Sequence, residues 1–550
     1  MIINSFIFFL IMINILRVIK RGISVKIFVA YVAPKYKYLS FMIGFLCFAP
    51  GIRLFAQPLE IGNRRQVFID EKFLAESKGV EFIVHQPQKT GEWTIKPEYA
   101  WEAGGIGPYS SVLKVDDTYH MWYHAMASVQ WNIDKKSGAI CYAQSKDGIH
   151  WEKPVLGLVE FDGNKENNIV LGHGAADVYI GQDGGMVFID PNAPDDRKFN
   201  LPIRVEKKGE TFHIFSSPDG IHWKLTYRSV LGVNTKFHLD TQNVIFWDNQ
   251  ANKYIIYGRG PSRSERSIFR VEADQIDRFS LIKELPLVLS PDSLDLSIGQ
   301  TPVVDYYMSA AIKYPWADNA YYMFPTAYFH YIPGTLSEFR EEVPKNAGPL
   351  DTQFTASTDG VNWQRYGRQP FIGLGMKGEF DWASARMFYG IVPAVNGREI
   401  YMYYRASDWL HGWDRDEKNK QLLTTAGLGA SQNIAVISRI VLRMDGFVSL
   451  RGAYTGGEFT TPLLKFEGNK LFLNVNTSAT GIVRVGIIDM NGNPVEGYRM
   501  EDCDRIHTAN EINRVVSWGG NNDVSIFAGK AIRLRFEIRN ADLFAFQFKD

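Results

Sequence analysis

Acidic residues recur just ahead of the apolar segments that predict buried strands. Those in this position are Glu102, Asp183, Asp240, Asp305, Glu379 and Asp381. Cleavage of a glycosidic bond needs two carboxyl groups, one protonated as acid and one ionised as base or nucleophile. The sequence predicts Asp240 as base or nucleophile, with Glu102 or Asp381 as the acid. Because Asp is common in turns, a structural role stays open for each of them.

Aromatic and cationic side chains of the types that a sugar site uses accompany these acids. The residues predicted to bind substrate are Trp101, Tyr109, Asp183, His238, Arg259, Asp305, Tyr328, Glu379, Trp382, Arg386 and Arg405. The rings could stack on sugar faces, and the arginines could bind a carboxylate-bearing sugar or orient the acids. We expect neither a metal nor a cofactor, because we find no credible ligand spacing and no phosphate-binding glycine-rich loop in the sequence.

The elements that would position these side chains are indicated by a repeated motif, Ser-x-Asp-Gly-x-x-Trp. Its copies run from Ser145 to Trp151, from Ser217 to Trp223 and from Ser357 to Trp363. The spacings, 72 and 140 residues, indicate one unit without its marker, near residues 270–290. A decayed copy follows at 443–447. Asp-Gly is a turn pair, and we expect each Trp to be buried between neighbouring units. Five units of roughly 70 residues predict a five-bladed β-propeller.

The last hundred residues have a different pattern, with short alternating strands and no copy of the motif. We therefore predict an all-β protein in which a five-bladed β-propeller is followed by a C-terminal β-sandwich. The expected division is 1–57 as signal peptide or N-terminal hydrophobic segment, 58–452 as propeller and 453–550 as sandwich. The segment 65–86 is expected to complete a blade or to pack beneath the propeller.

Charge and the N-terminal segment bear on partners and location. Lys+Arg and Asp+Glu number 60 each, so nothing favours nucleic acid as a partner. Two apolar runs flank a basic stretch, and Leu54-Phe55-Ala56 before Gln57 resembles a signal-peptidase site. We expect a periplasmic or secreted protein with no stable membrane insertion after cleavage. A retained N-terminal anchor is the alternative.

Three segments carry a family resemblance: Phe237–Asp248, the motif copies with the trailing Glu152-Lys153-Pro154, and Thr460–Asp550. Together they resemble bacterial exported proteins described as glycoside hydrolase family 32-like. The resemblance implies a five-bladed propeller of the family 32, 43 and 68 type with a C-terminal sandwich. The better-known relatives carry an Asp at the opening strand of the first blade, whereas this chain has Gly107 there, followed by Pro108 and Tyr109. Fructoside specificity is therefore not transferred.

The leading hypothesis is an exported glycoside hydrolase that cleaves an oligo- or polysaccharide of unknown linkage. A non-catalytic carbohydrate-binding propeller is the main alternative, because an ancestral acid is absent at Gly107. A sialidase is a third interpretation.

Overall fold

The computed structural model describes residues 57–127, 138–172, 185–204, 212–228, 230–231, 239, 241–261, 266–295, 303–318, 320–332, 347–412 and 435–550. Three of the predicted site residues, Asp183, His238 and Asp240, lie outside these ranges. Within them, no helix is long and apolar enough to cross a membrane. The helices described are short 3-10 turns at Glu71–Phe73, Ala100–Glu102, Asp195–Arg197, Ile276–Leu281 and Ser525–Phe527.

Five strands precede the repeated units. They are β1 (Leu59–Gly62), β2 (Gln66–Val67), β3 (Glu76–Lys78), β4 (Val80–Val84) and β5 (Gln88–Lys89). The first two blades of the propeller follow. Blade one contains β6 (Gly105–Val115), β7 (Thr118–Met126), β8 (Gly138–Ser145) and β9 (Ile169–Leu171), and blade two contains β10 (Phe188–Ile189), β11 (Phe199–Arg204), β12 (Phe212–Ser217) and β13 (Lys224–Tyr227).

Blades three and four follow the same antiparallel plan. Blade three contains β14 (Val244–Asp248), β15 (Lys253–Pro261), β16 (Arg266–Ala273) and β17 (Leu287–Leu289). Blade four is interrupted, and its strands are β18 (Val303–Tyr306), β19 (Ile312–Lys313), β20 (Tyr321–Met323), β21 (Thr326–His330), β22 (Leu350–Thr352) and β23 (Thr355–Ser357). The repeat unit without its marker is therefore blade three, where the 3-10 helix Ile276–Leu281 precedes the last strand.

Blade five is closed by a strand from the other end of the chain. It contains β24 (Ser384–Met387), β25 (Val392–Pro393), β26 (Glu399–Ser407) and β27 (Ala435–Arg443). Strand β5 pairs with β27 and supplies the outermost strand. The ring is joined near its axis by Gln242, whose side-chain nitrogen donates to the Ser110 carbonyl of blade one at 2.6 Å. The Gln242 side-chain oxygen accepts from the Tyr389 amide beyond β24 at 3.2 Å.

The repeated motif forms the turn expected for it. In the first copy Ser145 Oγ accepts from the Gly148 amide at 2.9 Å, and Gly148 has φ of 73°, which favours glycine. The same glycine's carbonyl accepts from Tyr403 of blade five at 2.5 Å. Trp151 lies against the Tyr403 ring, with the two ring centroids 5.7 Å apart. The first copy therefore joins blade five to blade one, as predicted for the motif.

The other copies make equivalent contacts between blades. The Gly220 carbonyl in blade two accepts from Trp122 of blade one at 2.6 Å. The Gly360 carbonyl in blade four accepts from Tyr257 of blade three at 2.6 Å. In the decayed copy Asp445 accepts from Tyr314 of blade four at 2.9 Å. The motif is thus a structural connector that receives an aromatic donor from the preceding blade.

The nine C-terminal strands form two facing sheets, except that β30 pairs separately with β1. They are β28 (Val448–Gly452), β29 (Gly457–Thr460), β30 (Leu464–Phe466), β31 (Lys470–Asn476), β32 (Ile482–Ile488), β33 (Ile506–His507), β34 (Asn510–Val515), β35 (Arg533–Arg539) and β36 (Ala541–Lys549). One sheet has the order β34-β31-β36-β28-β4, and the other has the order β3-β29-β35-β32-β33. Their inner faces bury a separate apolar core that includes Phe459 and Phe536, stacked at 4.5 Å.

The sandwich is built from both ends of the chain, which differs from the expected division at residues 58 and 453. Strands β1 to β4 pair with β30, β36, β29 and β28 respectively. The segment 65–86 therefore does not complete a blade, and only the following β5 joins blade five. It does pack against the propeller, because Val67 and Ile69 belong to the apolar core of the blades. The alternating pattern of residues 65–86 predicts strands, but it does not indicate that their partners lie at the other end of the chain.

Candidate active site at the centre of the propeller

Glu102, predicted as a catalytic acid, is held inside blade one. Its side chain is 0% exposed. One carboxylate oxygen accepts from the Tyr123 hydroxyl at 2.6 Å, and the other accepts from Lys153 Nζ at 2.9 Å and the Glu98 amide at 2.8 Å. The protein thus supplies donors to both oxygens of this buried carboxylate. The contacts therefore favour a structural role for Glu102.

Trp101 belongs to the same packed region. Its indole nitrogen donates to Asn168 Oδ1 at 3.0 Å, and its ring stacks on Tyr99 with centroids 4.6 Å apart. Asn168 in turn donates to the Tyr123 hydroxyl at 2.7 Å. The tryptophan thus packs the edge of blade one, and the structure does not bring it to the other predicted sugar-binding rings.

Asp381 is also engaged, in this case at blade five. Its Oδ2 lies 2.7 Å from Lys89 Nζ of the closing strand and accepts from the Tyr404 hydroxyl at 2.9 Å. Glu379 is exposed and accepts from the Met376 amide at 2.8 Å. Trp382 packs in a small buried cluster with Leu410. The Asp381 carboxylate therefore ties the chain's first strands to blade five.

The predicted arginines and tyrosines converge around the ring of Tyr307, which is not among the predicted site residues. Tyr307 follows β18 of blade four and is largely buried. The guanidinium carbons of Arg259 and Arg266, from blade three, lie 5.1 and 5.4 Å from its centroid. Arg386 of blade five lies 5.8 Å away. Three cations from two blades therefore lie close to one aromatic ring, and a ring and a guanidinium attract each other.

Further rings complete this centre, which we call the Tyr307 centre. Tyr328, on β21, meets Tyr307 edge-on with centroids 5.9 Å apart, and His411 lies 5.2 Å from Tyr307 and 4.9 Å from Tyr328. Tyr109 of blade one packs in the same buried cluster. The predicted residues brought together here are therefore Tyr109, Arg259, Asp305, Tyr328, Arg386 and Arg405.

Among the described residues, Asp305 is the carboxylate that contacts the cations of the Tyr307 centre. It accepts from the Arg266 amide and guanidinium at 2.7 Å each, and His330 Nε2 lies 2.7 Å from it. Burial alone would raise the pKa of Asp305, but the hydrogen bond from His330 and the Arg266 contacts outweigh it. The pKa therefore lies below its ordinary value, and Asp305 is ionised at neutral pH.

Two arginines stand directly opposite each other on neighbouring strands of blade five. Arg386 on β24 pairs with Arg405 on β26, so their side chains share one face. Both are at least 95% buried. Arg386 donates to Ser384 Oγ at 2.9 Å and contacts His411 Nδ1 at 3.5 Å, and burial lowers the pKa of Arg386. Arg405 donates to the Ile106 carbonyl and to Ser407 Oγ.

The nearby histidine is neutral. Burial holds the pKa of His411 well below its ordinary value, and the charges of Arg386, Arg405 and Arg266 lower it further. Its Nδ1 can therefore accept from Arg386 while its Nε2 carries the proton.

The neighbouring His124 explains why position 107 is a glycine. The resemblance places an Asp at this position in related proteins. A Cβ at Gly107 would lie 2.1 Å from His124 Nδ1 and 2.8 Å from its Cγ. His124 is 0% exposed on β7. The imidazole therefore fills the space that a side chain at position 107 would need, and an Asp has no room there.

Several residues of the centre were missed from sequence. Tyr307 follows β18, His330 ends β21 and His411 comes after β26. The predicted acids, in contrast, precede strands. No local sequence pattern indicates that these three residues lie close together in the fold. Another missed group is Asp351 on β22, next to the cluster residue Leu350 but on the opposite face of the strand. Burial raises the pKa of Asp351 to about 7, against a hydrogen bond from Gln353.

Comparisons with known proteins give similarities at the level of solved structures. No family model and no curated protein matches the chain. A glycoside hydrolase family 43 arabinoxylan arabinofuranohydrolase from Bacillus subtilis is 13% identical, with 81% of this chain and 96% of that chain covered and a TM-score of 0.35.

Two further enzymes give similar values. The catalytic domain of a GH62 α-L-arabinofuranosidase from Coprinopsis cinerea is 10% identical, covering 66% and 98% of the two chains, with a TM-score of 0.37. An exo-β-1,3-galactanase from Phanerochaete chrysosporium is 10% identical, covering 85% and 99%, with a TM-score of 0.32. Scores this low decide nothing about activity, so the fold rests on the strand pairing above and the function on the Tyr307 centre.

Proposed function

We propose that this protein is an exported glycoside hydrolase that cleaves an oligo- or polysaccharide at the Tyr307 centre. The observation that supports it best is the convergence of Tyr109, Tyr307 and Tyr328 with cationic donors and the ionised Asp305 at one place on the propeller. Sugar sites combine flat apolar surfaces with a few fixed donors and acceptors. This centre has both, contributed by blades one, three, four and five.

The division of roles follows from which carboxylates contact the Tyr307 centre. Glu102 pairs with Lys153 and Asp381 with Lys89, neither of which belongs to that centre, so neither carboxylate is the proposed acid. Asp305 is ionised and suits a base or a charge-stabilising role. Asp240 stays the proposed base or nucleophile on its place in the sequence alone, before β14.

The activity is tested by incubating the purified protein with a panel of plant, algal and host oligosaccharides and measuring new reducing ends. Sialosides belong in the panel, because the clustered arginines also suit the sialidase alternative. Asp305→Asn should lose most of its turnover, since the acceptor charge disappears with little change of shape. Asp277→Asn, on the exposed helix of blade three, is the matched control and should keep it.

A carbohydrate-binding propeller without catalysis is the second candidate. It is favoured by the filled space beside Gly107 and by the engaged carboxylates of Glu102 and Asp381. Binding of several glycans by calorimetry with no cleavage of any would establish this alternative and reject the hydrolase proposal.

Export is proposed from the N-terminal sequence and has its own test. Expression of the full chain followed by mass measurement of the mature protein should show loss of residues up to about Ala56. A mature protein that retains the N-terminal residues would favour the anchored alternative.

A further inference from the structure

We infer that the sugar bound at the Tyr307 centre carries a carboxylate, and that Arg386 binds this group with help from Tyr328. The inference rests on the proposed function only in taking the ligand to be a carbohydrate. It specifies the substrate class, an acidic sugar, whether or not the bond is cleaved.

The first argument is the electrostatic state of Arg386. Its side chain is 4% exposed, and its hydrogen-bonding contacts are with the Ser384 hydroxyl and the neutral His411. Within the ranges that the structure describes, no carboxylate contacts this guanidinium. Arginine stays charged in proteins, so burial without a counter-ion carries a desolvation cost that an anionic ligand would relieve.

The second argument is the density of like charge. Arg386 and Arg405 are direct cross-strand neighbours, an arrangement that destabilises a sheet when both residues carry the same charge. Arg259 and Arg266 approach the same Tyr307 ring. Asp305 pairs with Arg266 in this cluster. A planar guanidinium matches the two oxygens of a carboxylate, so an anionic ligand at Arg386 would offset the remaining like charge.

The third argument is a buried hydroxyl without a described partner. Tyr328 is 1% exposed, and its hydroxyl has no hydrogen-bond partner among the residues that the structure describes. Burial raises the pKa of Tyr328 far above neutrality, so the group is a donor. Tyr328 and Arg386 both contact His411, whose ring centroid lies 4.9 Å from that of Tyr328 and whose Nδ1 lies 3.5 Å from the Arg386 guanidinium. A carboxylate at this point would accept from both.

The experiment compares acidic and neutral sugars on the full mature protein by calorimetry and thermal shift. The probes are D-glucuronate, D-galacturonate and N-acetylneuraminate, with D-glucose, D-galactose and glucose 6-sulfate for comparison. At least one carboxylate sugar should bind about tenfold or more tightly than its neutral counterpart, as expected for a hydrogen bond between charged groups. The three acids distinguish uronic from sialic acid as the source of the carboxylate.

Variants then assign the preference to Arg386. Arg386→Met should abolish it and leave the melting temperature unchanged or higher, because an uncompensated buried charge is removed. Arg439→Met is the matched control, since Arg439 is similarly buried but paired with Glu92 at 2.6 Å. It should keep the preference and lower the melting temperature. Tyr328→Phe should weaken acid binding several-fold without affecting neutral sugars.

Each result has one meaning. Equal binding of acidic and neutral sugars, tighter binding of the sulfated sugar only, or a preference that survives in Arg386→Met would overturn the inference. Acid binding without cleavage of any glycan would support it while rejecting the hydrolase proposal. Cleavage of neutral glycans without any preference for acidic sugars would overturn the inference while supporting the hydrolase proposal.

Discussion

Replacement of Gly107 by alanine should destabilise the propeller because a buried histidine occupies the space that the new methyl group needs. The Cβ would lie 2.1 Å from His124 Nδ1, 2.8 Å from its Cγ and 3.0 Å from its Cβ, where ordinary contact begins at 3.4 Å. The imidazole must therefore move by more than an ångström. It is fully buried on β7, which pairs on both sides with β6 and β8.

The expected magnitude follows from measured overpacking. Inserting a methyl group into a packed core costs about 1–3 kcal/mol, and this contact belongs at the upper end, about 3 kcal/mol. With an unfolding entropy of about 2 cal/mol/K per residue, the roughly 410 residues that the structure describes give a loss of about 4 °C in melting temperature. Gly373→Ala is the matched control, because its Cβ would meet Pro370 at an ordinary 3.4 Å.

The assay is calorimetric unfolding of a double-mutant cycle. His124→Ala removes the obstructing ring, so the Gly107→Ala substitution should cost little in that background. The two changes should fail to add by about 1–3 kcal/mol, as expected for residues in contact. A melting temperature of Gly107→Ala equal to that of the wild type, or strictly additive costs, would refute the steric explanation for the missing acid.

Three further predictions concern chemistry, blade contacts and pH. Asp240→Asn should lower turnover on the identified substrate by at least about 10²-fold, and undiminished turnover would exclude Asp240 from the chemistry. Gly220→Ala should cost about 1–3 kcal/mol in chemical unfolding, because φ is +77° and the new Cβ would lie 2.5 Å from Trp122; an unchanged unfolding midpoint would contradict this. The pKa of His411 is lowered in the folded state, so the unfolded chain binds the proton first. The free energy of unfolding should therefore fall as the pH drops below about 6.5, by at most about 1.4 kcal/mol per pH unit. His411→Gln should show a shallower loss between pH 6.5 and 5, measured by unfolding at each pH, and equal slopes would show that other groups dominate.

The architecture was predictable because the motif is local. Ser145, Asp147 and Gly148 fix one turn through contacts within a few residues, so the same letters reappear wherever that turn recurs. The spacing of the copies then gives the number of blades. Trp151 and Trp363 pack against aromatic rings of the preceding blade, as their size and position in the motif predicted.

The site was only partly predictable because its residues come from different blades and become neighbours only when the blades close into a ring. A carboxylate ahead of a strand looks the same in sequence whether it faces a substrate or a lysine. Glu102 meets Lys153, and Asp381 meets Lys89, across distances in the chain that no local pattern encodes. Likewise, the sequence shows Gly107 where related proteins carry an Asp, but the reason for the glycine is His124 on the next strand.

The pairing of both chain ends within the sandwich has a consequence for folding. Strand β4 has to wait for β28, which is synthesised only after the whole propeller, and β2 waits for the last strand of all. Contacts between such distant segments form late, since the loop entropy is lost before they contribute. Until then Phe68 and Phe73 lack the ring of Phe546 that covers them in the native state. A nascent chain therefore exposes an apolar, unpaired N-terminal segment for most of its synthesis, which is the stage at which chaperones would protect it from aggregation.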